Sequence, residues 1–123
     1  MTANFCSRFH QAVELIGARW TGAIIRVLIA GPVRYSALRD AIPDISDRML
    51  SERLRELEAE GVVTREVLPD PPIGVEYALT EKGRALGPAM DAIAQWAHDW
   101  VSAEPNVPAD MPTASSGSGR RAK

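Results

Sequence analysis

The segment GPVRYSALRDAIPDISDRMLSERLRELEAEG, residues 31–61, constrains the fold more strongly than any other part of the chain. Ser36 and Ser46 favour helix N-termini, because a serine hydroxyl at that position accepts a backbone N–H bond. Each predicted helix also has an end signal, Pro43 for the first helix and Gly61 for the second. Two short helices joined by a tight turn are typical of a helix-turn-helix motif.

Two more helices are predicted ahead of this segment, and a short strand is predicted at its start. Residues 6–17, CSRFHQAVELIG, carry apolar side chains at helical spacing and end at a glycine. Residues 19–32, RWTGAIIRVLIAGP, have almost no polar face, and their apolar residues include Trp20. This pattern predicts a central, buried helix that the Gly-Pro pair ends. Val33 to Tyr35 then favour a very short strand.

A β-hairpin and a final helical region are predicted after the second helix of the motif. VVTREVLP and GVEYALT are strand-like, and the proline-rich DPPI between them forms the turn. Thr80 is a good N-cap for the final region, whose apolar stripe extends to Trp100. Pro88 is expected to kink this helix or to begin a second one. The predicted fold class is mainly α with a small β-hairpin wing, a winged helix-turn-helix.

The length of 123 residues suits one domain. We assign residues 1–102 to that domain and expect residues 103–123, a Pro/Ser/Gly-rich stretch without an apolar pattern, to be disordered. No apolar run approaches the ~18 residues of a membrane span, and the N-terminus carries no secretion signal. With a single cysteine, these features predict a cytoplasmic protein without a membrane partner.

The motifs argue against an enzyme. The phosphate-binding, nucleophile and metalloprotease motifs that accompany common catalytic sites are missing from the sequence. His10 and His98 lack metal-ligand spacing, so we predict no metal, no cofactor and no catalytic residue. The formal net charge of −2 argues weakly against nucleic-acid binding by bulk charge, although the basic residues concentrate in residues 19–65.

The second helix of the motif has two chemically different faces. Leu50, Leu54 and Leu57 lie on one side, whereas Arg48 and Arg55 lie on the other. In a helix-turn-helix, the face that carries these arginines enters the major groove, where guanidinium groups bind guanine edges. For this helix alone, a solvated face stabilised by ion pairs with neighbouring glutamates is the alternative. The order of all the elements favours DNA binding.

The predicted DNA-binding residues come from this exposed face, from the starts of the two helices and from the hairpin. Arg65 has a second interpretation, since it could pair with Glu76 across the hairpin instead of binding phosphate. The full predicted set is Arg34, Ser36, Ser46, Asp47, Arg48, Met49, Ser51, Glu52, Arg55, Arg65, Ile73 and Gly74.

The motifs IGARW, GPVRYSALRDAIPDIS, RMLSERLRELEAEGVV and VEYALTEKG, in this order, closely resemble those of the HxlR-type winged-helix transcription regulators, relatives of the MarR group. The resemblance covers roughly residues 6–101. It implies a homodimer that binds double-stranded operator DNA and regulates transcription, and we expect a repressor. It also implies that the first and last helices form the dimer.

The resemblance and the apolar stripes together predict the dimer interface. Packing in the core and in the dimer is the simplest role for the tryptophans. The alternative is a pocket between subunits for a small, flat aromatic effector. The predicted interface residues are Phe9, Val13, Met90, Ile93, Trp96 and Trp100.

Cys6 stands just before the first predicted helix, where many members of this family carry a cysteine that, in several of them, senses quinones, aldehydes or oxidants. The helix N-terminus and the nearby Arg8 favour a reactive thiolate, which predicts a sensor of electrophiles. The alternative is a small buried apolar side chain, the usual role of a free cysteine. Ser7 replaces the proline that usually follows the family's cysteine.

The wing departs from the family pattern. A basic residue is usual where this chain has Gly74, so the wing itself lacks a charge that could enter the minor groove or bind phosphate. This departure and the acidic pI of about 5.7 leave an alternative function open. In that alternative, the winged helix has lost DNA binding and docks another protein.

Overall fold

The computed structural model describes residues 6–102. They separate into two compact units at the boundary between Gly87 and Pro88. The first unit contains five helices and a three-stranded sheet, and the second consists mainly of the last helix. The elements in chain order are α1 (Ser7–Ile16), α2 (Thr21–Ile29), β1 (Val33–Arg34), α3 (Tyr35–Ala41), α4 (Asp47–Ala59), β2 (Val63–Leu68), β3 (Gly74–Leu79), α5 (Glu81–Arg84) and α6 (Gly87–Trp100).

This order confirms the predicted winged helix-turn-helix, in which α3 and α4 form the motif and β2 and β3 form the wing. The core of the first unit lies where α2 packs on β3 and α4 packs on β2. As predicted, α2 is central, although Arg26 and Ile29 on one side of it are exposed. The fully buried apolar side chains are Ile24, Ile25, Leu28, Leu38, Leu50, Leu54, Leu57, Val62 and Val63.

Two helix starts differ from the predictions. Trp20 lies outside α2, in a left-handed conformation with φ of 75°, and the helix begins at Thr21. Ser36 is not an N-cap, because α3 begins one residue earlier, at Tyr35. The reason is the sheet: pairing of β1 with β3 holds Arg34 extended, which is the conformation of an N-cap, so the helix follows the strand directly.

Both ends of α4 are capped, as the sequence predicts. At the start, the Ser46 hydroxyl accepts a hydrogen bond from the Met49 N–H at 3.0 Å. At the end, Gly61 has φ of 77°, and the Val62 N–H donates to the Leu57 carbonyl at 2.9 Å. A left-handed glycine followed by this bond satisfies carbonyls that the helix leaves unpaired, so the chain turns sharply into β2.

The sheet is antiparallel with strand order β1-β3-β2, so the wing hairpin has a third strand at its β3 edge. In the hairpin, Arg65 lies opposite Tyr77, and Glu66 lies opposite Glu76. Because neighbouring residues of a strand point to opposite faces, Arg65 and Glu76 lie on different sides of the sheet. The suggested pair of Arg65 with Glu76 is therefore wrong.

The helical region after the wing is divided in two, as Pro88 predicts. Thr80 caps α5 by accepting a hydrogen bond from the Gly83 N–H at 3.0 Å. Helix α6 begins at Gly87, so Pro88 lies in its first turn, where a missing N–H breaks no helical bond. Within residues 6–102, none of the helices is both long and apolar enough to span a membrane. The predicted disordered tail, residues 103–123, lies outside the described residues.

Candidate nucleic-acid interface

The two faces of α4 have the predicted environments. Leu50, Leu54 and Leu57 are buried in the core and attach the helix to the rest of the first unit. Arg48 and Arg55 are exposed on the opposite side. Because the core holds α4 along its length, the positions of Arg48 and Arg55 on the surface are fixed. Their guanidinium groups are therefore accessible to a ligand.

The three arginines of α4 differ in their partners, although the sequence alone does not distinguish them. The Arg53 side chain is only 15% exposed; its Nε donates to the Arg19 carbonyl at 2.9 Å and its Nη1 lies 3.1 Å from the Glu56 carboxylate. Within the described part of the chain, Arg48 and Arg55 form no ion pair or side-chain hydrogen bond. The alternative of an ion-paired surface therefore fits Arg53 but not the other two arginines.

A hydrogen-bond network fixes the start of α4 against α3. The Tyr35 hydroxyl lies 3.2 Å from the Asp47 carbonyl and 3.2 Å from the Ser51 hydroxyl. Arg39 forms an ion pair with the Asp47 carboxylate at 3.3 Å. Sequence analysis missed Tyr35 and Arg39, because both contacts join separate helices. Asp47 and Ser51, predicted to bind DNA, thus have partners within the chain, which favours a role in positioning α4.

The remaining residues predicted on the motif differ in accessibility. Ser36, like Ser46, is exposed, so its side chain is accessible to a ligand. Met49 and Glu52 are half-buried, and Glu52 lies 4.0 Å from the Arg53 guanidinium. Glu52, predicted to bind DNA, therefore lies near a cation of its own helix.

The wing brings five of the predicted residues into one groove beside β3. Arg34, Ser36, Arg65, Ile73 and Gly74 line it. Ile73 at the wing tip is 74% exposed, and the Arg34 Nη1 donates to a carbonyl in the wing turn. The predicted role of this region, contact with the DNA backbone, stays a prediction.

Cys6 is the N-cap of α1. Its side chain is exposed, and its Sγ accepts a hydrogen bond from the Phe9 N–H at 3.4 Å. The alternative of a buried apolar cysteine is therefore wrong for this chain.

The terminal helices leave apolar surface uncovered. Helix α1 has no buried residue, and its Phe9 is 69% exposed while Val13 is also exposed. On α6, Ile93, Trp96 and Trp100 are exposed, with Trp100 at 75%. Met90, also on α6, is only 5% exposed, and its place in the dimer interface stays a prediction.

Metal-binding chemistry is not found in the part of the chain that the structure describes. No group of three or more His, Cys, Asp or Glu side chains there is arranged to hold a metal ion.

Comparisons with known proteins identify relatives along most of the chain. A model of the HxlR-like helix-turn-helix family matches residues 15–105. The HTH-type transcriptional regulators YvaP and YodB of Bacillus subtilis are 46% and 45% identical to the chain over 99 and 97 residues. These alignments cover 80% and 79% of this chain and 92% and 87% of the two relatives.

Solved structures share the same fold. YodB in its reduced form has a TM-score of 0.71 at 44% identity, with 79% of this chain and 95% of that chain covered. The redox regulator HypR in its oxidised form has a TM-score of 0.70 at 39% identity, with 75% and 95% covered. Quinone-bound YodB has a TM-score of 0.69 at 43% identity, with 78% and 100% covered. The chain belongs to the HxlR-like helix-turn-helix family and is a DNA-binding transcription regulator, not an enzyme.

Proposed function

We propose that the protein is a homodimeric repressor in which α4 of each subunit reads operator DNA in the major groove. The observation that carries this proposal is the difference between the arginines of α4. Arg53 is held by partners within the chain, whereas Arg48 and Arg55 are exposed and have no such partner among residues 6–102. Guanidinium groups on this face can bind guanine bidentately, and each good pair discriminates by about 1–3 kcal/mol.

Dimerisation is proposed through the first and last helices. The support is the apolar surface that each helix exposes, with Phe9 and Val13 on α1 and Ile93, Trp96 and Trp100 on α6. Exposed apolar side chains of this size favour burial against protein. Two recognition helices related by a two-fold axis read a pseudo-palindrome, with half-site centres separated by about 10–10.5 base pairs or a multiple of that distance.

A titration of the protein with its own upstream DNA tests this function. We expect tight binding at about 50 mM salt that weakens steeply by about 200 mM, because phosphate contacts release counterions. If the winged helix instead docks another protein, we expect weak binding to the upstream DNA and to unrelated DNA alike. Equal affinity for the two duplexes, together with a flat salt dependence, would refute the DNA-reading proposal.

Cys6 is proposed as a sensor that releases the operator when it reacts. Its exposed thiol at the start of α1 supports this role, and so does its position next to Phe9, a proposed interface residue. Among the relatives, one structure is a quinone-bound YodB and another an oxidised redox regulator. A shift of a few ångströms between the two recognition helices would prevent simultaneous docking.

The sensor is tested by treating the DNA complex with a quinone, which adds to the thiolate, and by mass spectrometry of the product. We expect one adduct on Cys6 and release of the operator. Cys6→Ser is the matched variant, since serine is a good N-cap and maintains the start of α1. If the wild type acquires no adduct and stays on DNA, or if C6S is released equally, Cys6 is not the sensor. Release of C6S by an unreactive aromatic would instead favour a ligand pocket in the dimer.

The cellular location follows from the proposed partner. A repressor must meet the chromosome, so we propose that the protein acts in the cytoplasm, on operator DNA.

A further inference from the structure

The hydroxyl groups of Tyr35 on α3 and Ser51 on α4 meet near the start of the recognition helix. The Tyr35 oxygen lies 3.2 Å from the Ser51 oxygen, 3.2 Å from the Asp47 carbonyl oxygen and 3.4 Å from an oxygen of the Asp47 carboxylate. Three oxygen atoms thus surround one phenolic oxygen, and their hydrogen-bond chemistry differs. A carbonyl and a carboxylate only accept hydrogen bonds, whereas a serine hydroxyl both donates and accepts.

The proton of Tyr35 is directed to Asp47. Tyr35 has one proton to donate, and the carbonyl and carboxylate oxygens of Asp47 have none to give in return. If Tyr35 donated to Ser51, its lone pairs would face two acceptors without a proton between them. Arg39 holds the Asp47 carboxylate by an ion pair at 3.3 Å, so the charged acceptor stays beside the phenol. In the arrangement that satisfies every group, Tyr35 donates to Asp47 and Ser51 donates to Tyr35.

This direction gives the Ser51 hydroxyl a fixed polarity. Its proton is used inside the chain, while its oxygen keeps lone pairs that accept hydrogen bonds. Ser51 is half-buried, and it follows Arg48 by three positions and precedes Arg55 by four, which places it on their face of α4. The face that carries the two exposed arginines therefore also carries a hydroxyl that acts only as an acceptor.

We propose that Ser51 is a specificity-determining residue of α4 and that Tyr35 is its positioning residue. In the major groove, adenine and cytosine present an amino group that donates, whereas guanine and thymine present oxygen atoms that accept. An acceptor-only hydroxyl binds an amino group and leaves a base oxygen unpaired. The role rests on the proposed function and specifies one of its contacts: on the strand that it faces, Ser51 selects adenine or cytosine.

The test measures the affinity of the full chain for its upstream duplex and for duplexes in which one base pair is replaced in each half-site. Inverting the base pair that Ser51 contacts exchanges an amino donor for an oxygen acceptor and should weaken binding about fivefold per half-site, the value of one hydrogen bond. Exchange of adenine for cytosine on the contacted strand should have a smaller effect. S51A should abolish the preference at this position only. Fluorescence anisotropy at one salt concentration measures all the affinities.

Y35F tests whether Tyr35 sets the polarity, since it removes the phenolic oxygen and retains the ring. The released Ser51 proton is then free to donate, so the preference at this position should fall below about twofold. The double variant Y35F/S51A should match S51A, because both changes act through one hydroxyl. Tyr77 on β3 provides a matched control, as its hydroxyl forms no hydrogen bond with α4 within residues 6–102. Y77F should keep the wild-type preference.

A purely structural role of Tyr35 gives a different result. Loss of its hydroxyl would then loosen the start of α4 and weaken base preference throughout the operator, including the base pair that Arg48 contacts. An equal loss at every position in Y35F would therefore overturn the proposal. So would an unchanged preference in S51A or in Y35F, or a wild-type preference for guanine or thymine that S51A removes.

A second measurement is independent of DNA. NMR of the free protein follows the exchange of the Ser51 hydroxyl proton with water, which should be slower in the wild type than in Y35F. Equal exchange rates in the two proteins would overturn the assigned direction of the hydrogen bond. If the wild type instead binds upstream and unrelated DNA equally, the DNA-reading proposal fails and the reading role of Ser51 falls with it, whereas the exchange rates still decide the direction.

Discussion

Helices α4 and α1 both expose side chains that have no partner in the described part of the chain, but the chemistry of the exposed groups is different. Helix α4 buries three leucines and exposes the guanidinium groups of Arg48 and Arg55. Helix α1 buries no residue and exposes Phe9 and Val13. A charged exposed face favours a polyanion, and an apolar exposed face favours a protein surface. The two helices therefore indicate two different partners, DNA for α4 and a second subunit for α1.

The two helices also differ in how firmly the chain holds them. Helix α4 has a hydroxyl cap at its start and a left-handed glycine after its end, and its core leucines are fully buried. Helix α1 begins with a thiol cap, in which the N–H to sulfur distance is 3.4 Å. A surface that must match a duplex needs a rigid support, whereas an interface helix can gain its rigidity from the partner.

The largest effect is predicted for a substitution that removes one of the leucines by which α4 packs on the core. Leu54→Ala should lower the free energy of unfolding by about 2–5 kcal/mol, because it leaves a cavity around a fully buried side chain. Urea unfolding at a fixed oligomeric state, checked by sedimentation, measures the change. Val13→Ala on α1 is the comparison and should cost less than about 0.5 kcal/mol in the isolated subunit. Equal losses for the two variants would contradict the difference between the helices.

The next effect concerns the apolar face of α1. Phe9→Ala should weaken the dimer by about 1.5–3 kcal/mol, the value of burying such a side chain, and thus raise the dissociation constant more than tenfold. Analytical ultracentrifugation over a range of concentrations measures it. Phe9→Leu retains most of the apolar area and should have a smaller effect. A dimer as tight in F9A as in the wild type would remove α1 from the interface.

Within α4, substitutions of an exposed arginine and of a half-buried arginine are expected to have different effects. Arg48→Ala should relax the preference for one base pair of the operator by about 1–3 kcal/mol, because a bidentate base contact is lost. Arg53→Ala should reduce stability instead, since it removes the bonds to the Arg19 carbonyl and the Glu56 carboxylate. Binding to operators with single base changes separates the variants. Unchanged base preference in R48A would show that this face does not read sequence.

Sequence analysis predicted the elements whose signals are local. Ser46 and Thr80 each accept an N–H bond at a helix start, and Gly61 provides the left-handed turn after α4. A cap, a glycine and a period of apolar residues act within a few positions of one another, so they can be read from the chain before it folds. The hairpin and the short strand β1 were predicted on the same basis.

Contacts between distant elements could not be predicted in this way. Arg53 is identical in type to Arg48, and its internal role depends on a carbonyl that lies 34 residues away in the chain. The Tyr35 hydroxyl contacts Ser51 only because α3 and α4 cross at that point. The strand register decided the partner of Arg65, since a shift of one residue moves a side chain to the other face of the sheet.

The smallest predicted effect compares the two serines that the sequence marks as caps. The Ser46 hydroxyl accepts the Met49 N–H, whereas α3 begins before Ser36 and makes no use of its hydroxyl as a cap. Ser46→Ala should therefore lower stability by about 1 kcal/mol, and Ser36→Ala should change it by less than about 0.5 kcal/mol. Thermal unfolding of both variants at one concentration measures the difference. Equal melting temperatures would mean that the cap does not stabilise α4, and that the buried leucines alone hold the arginine face in place.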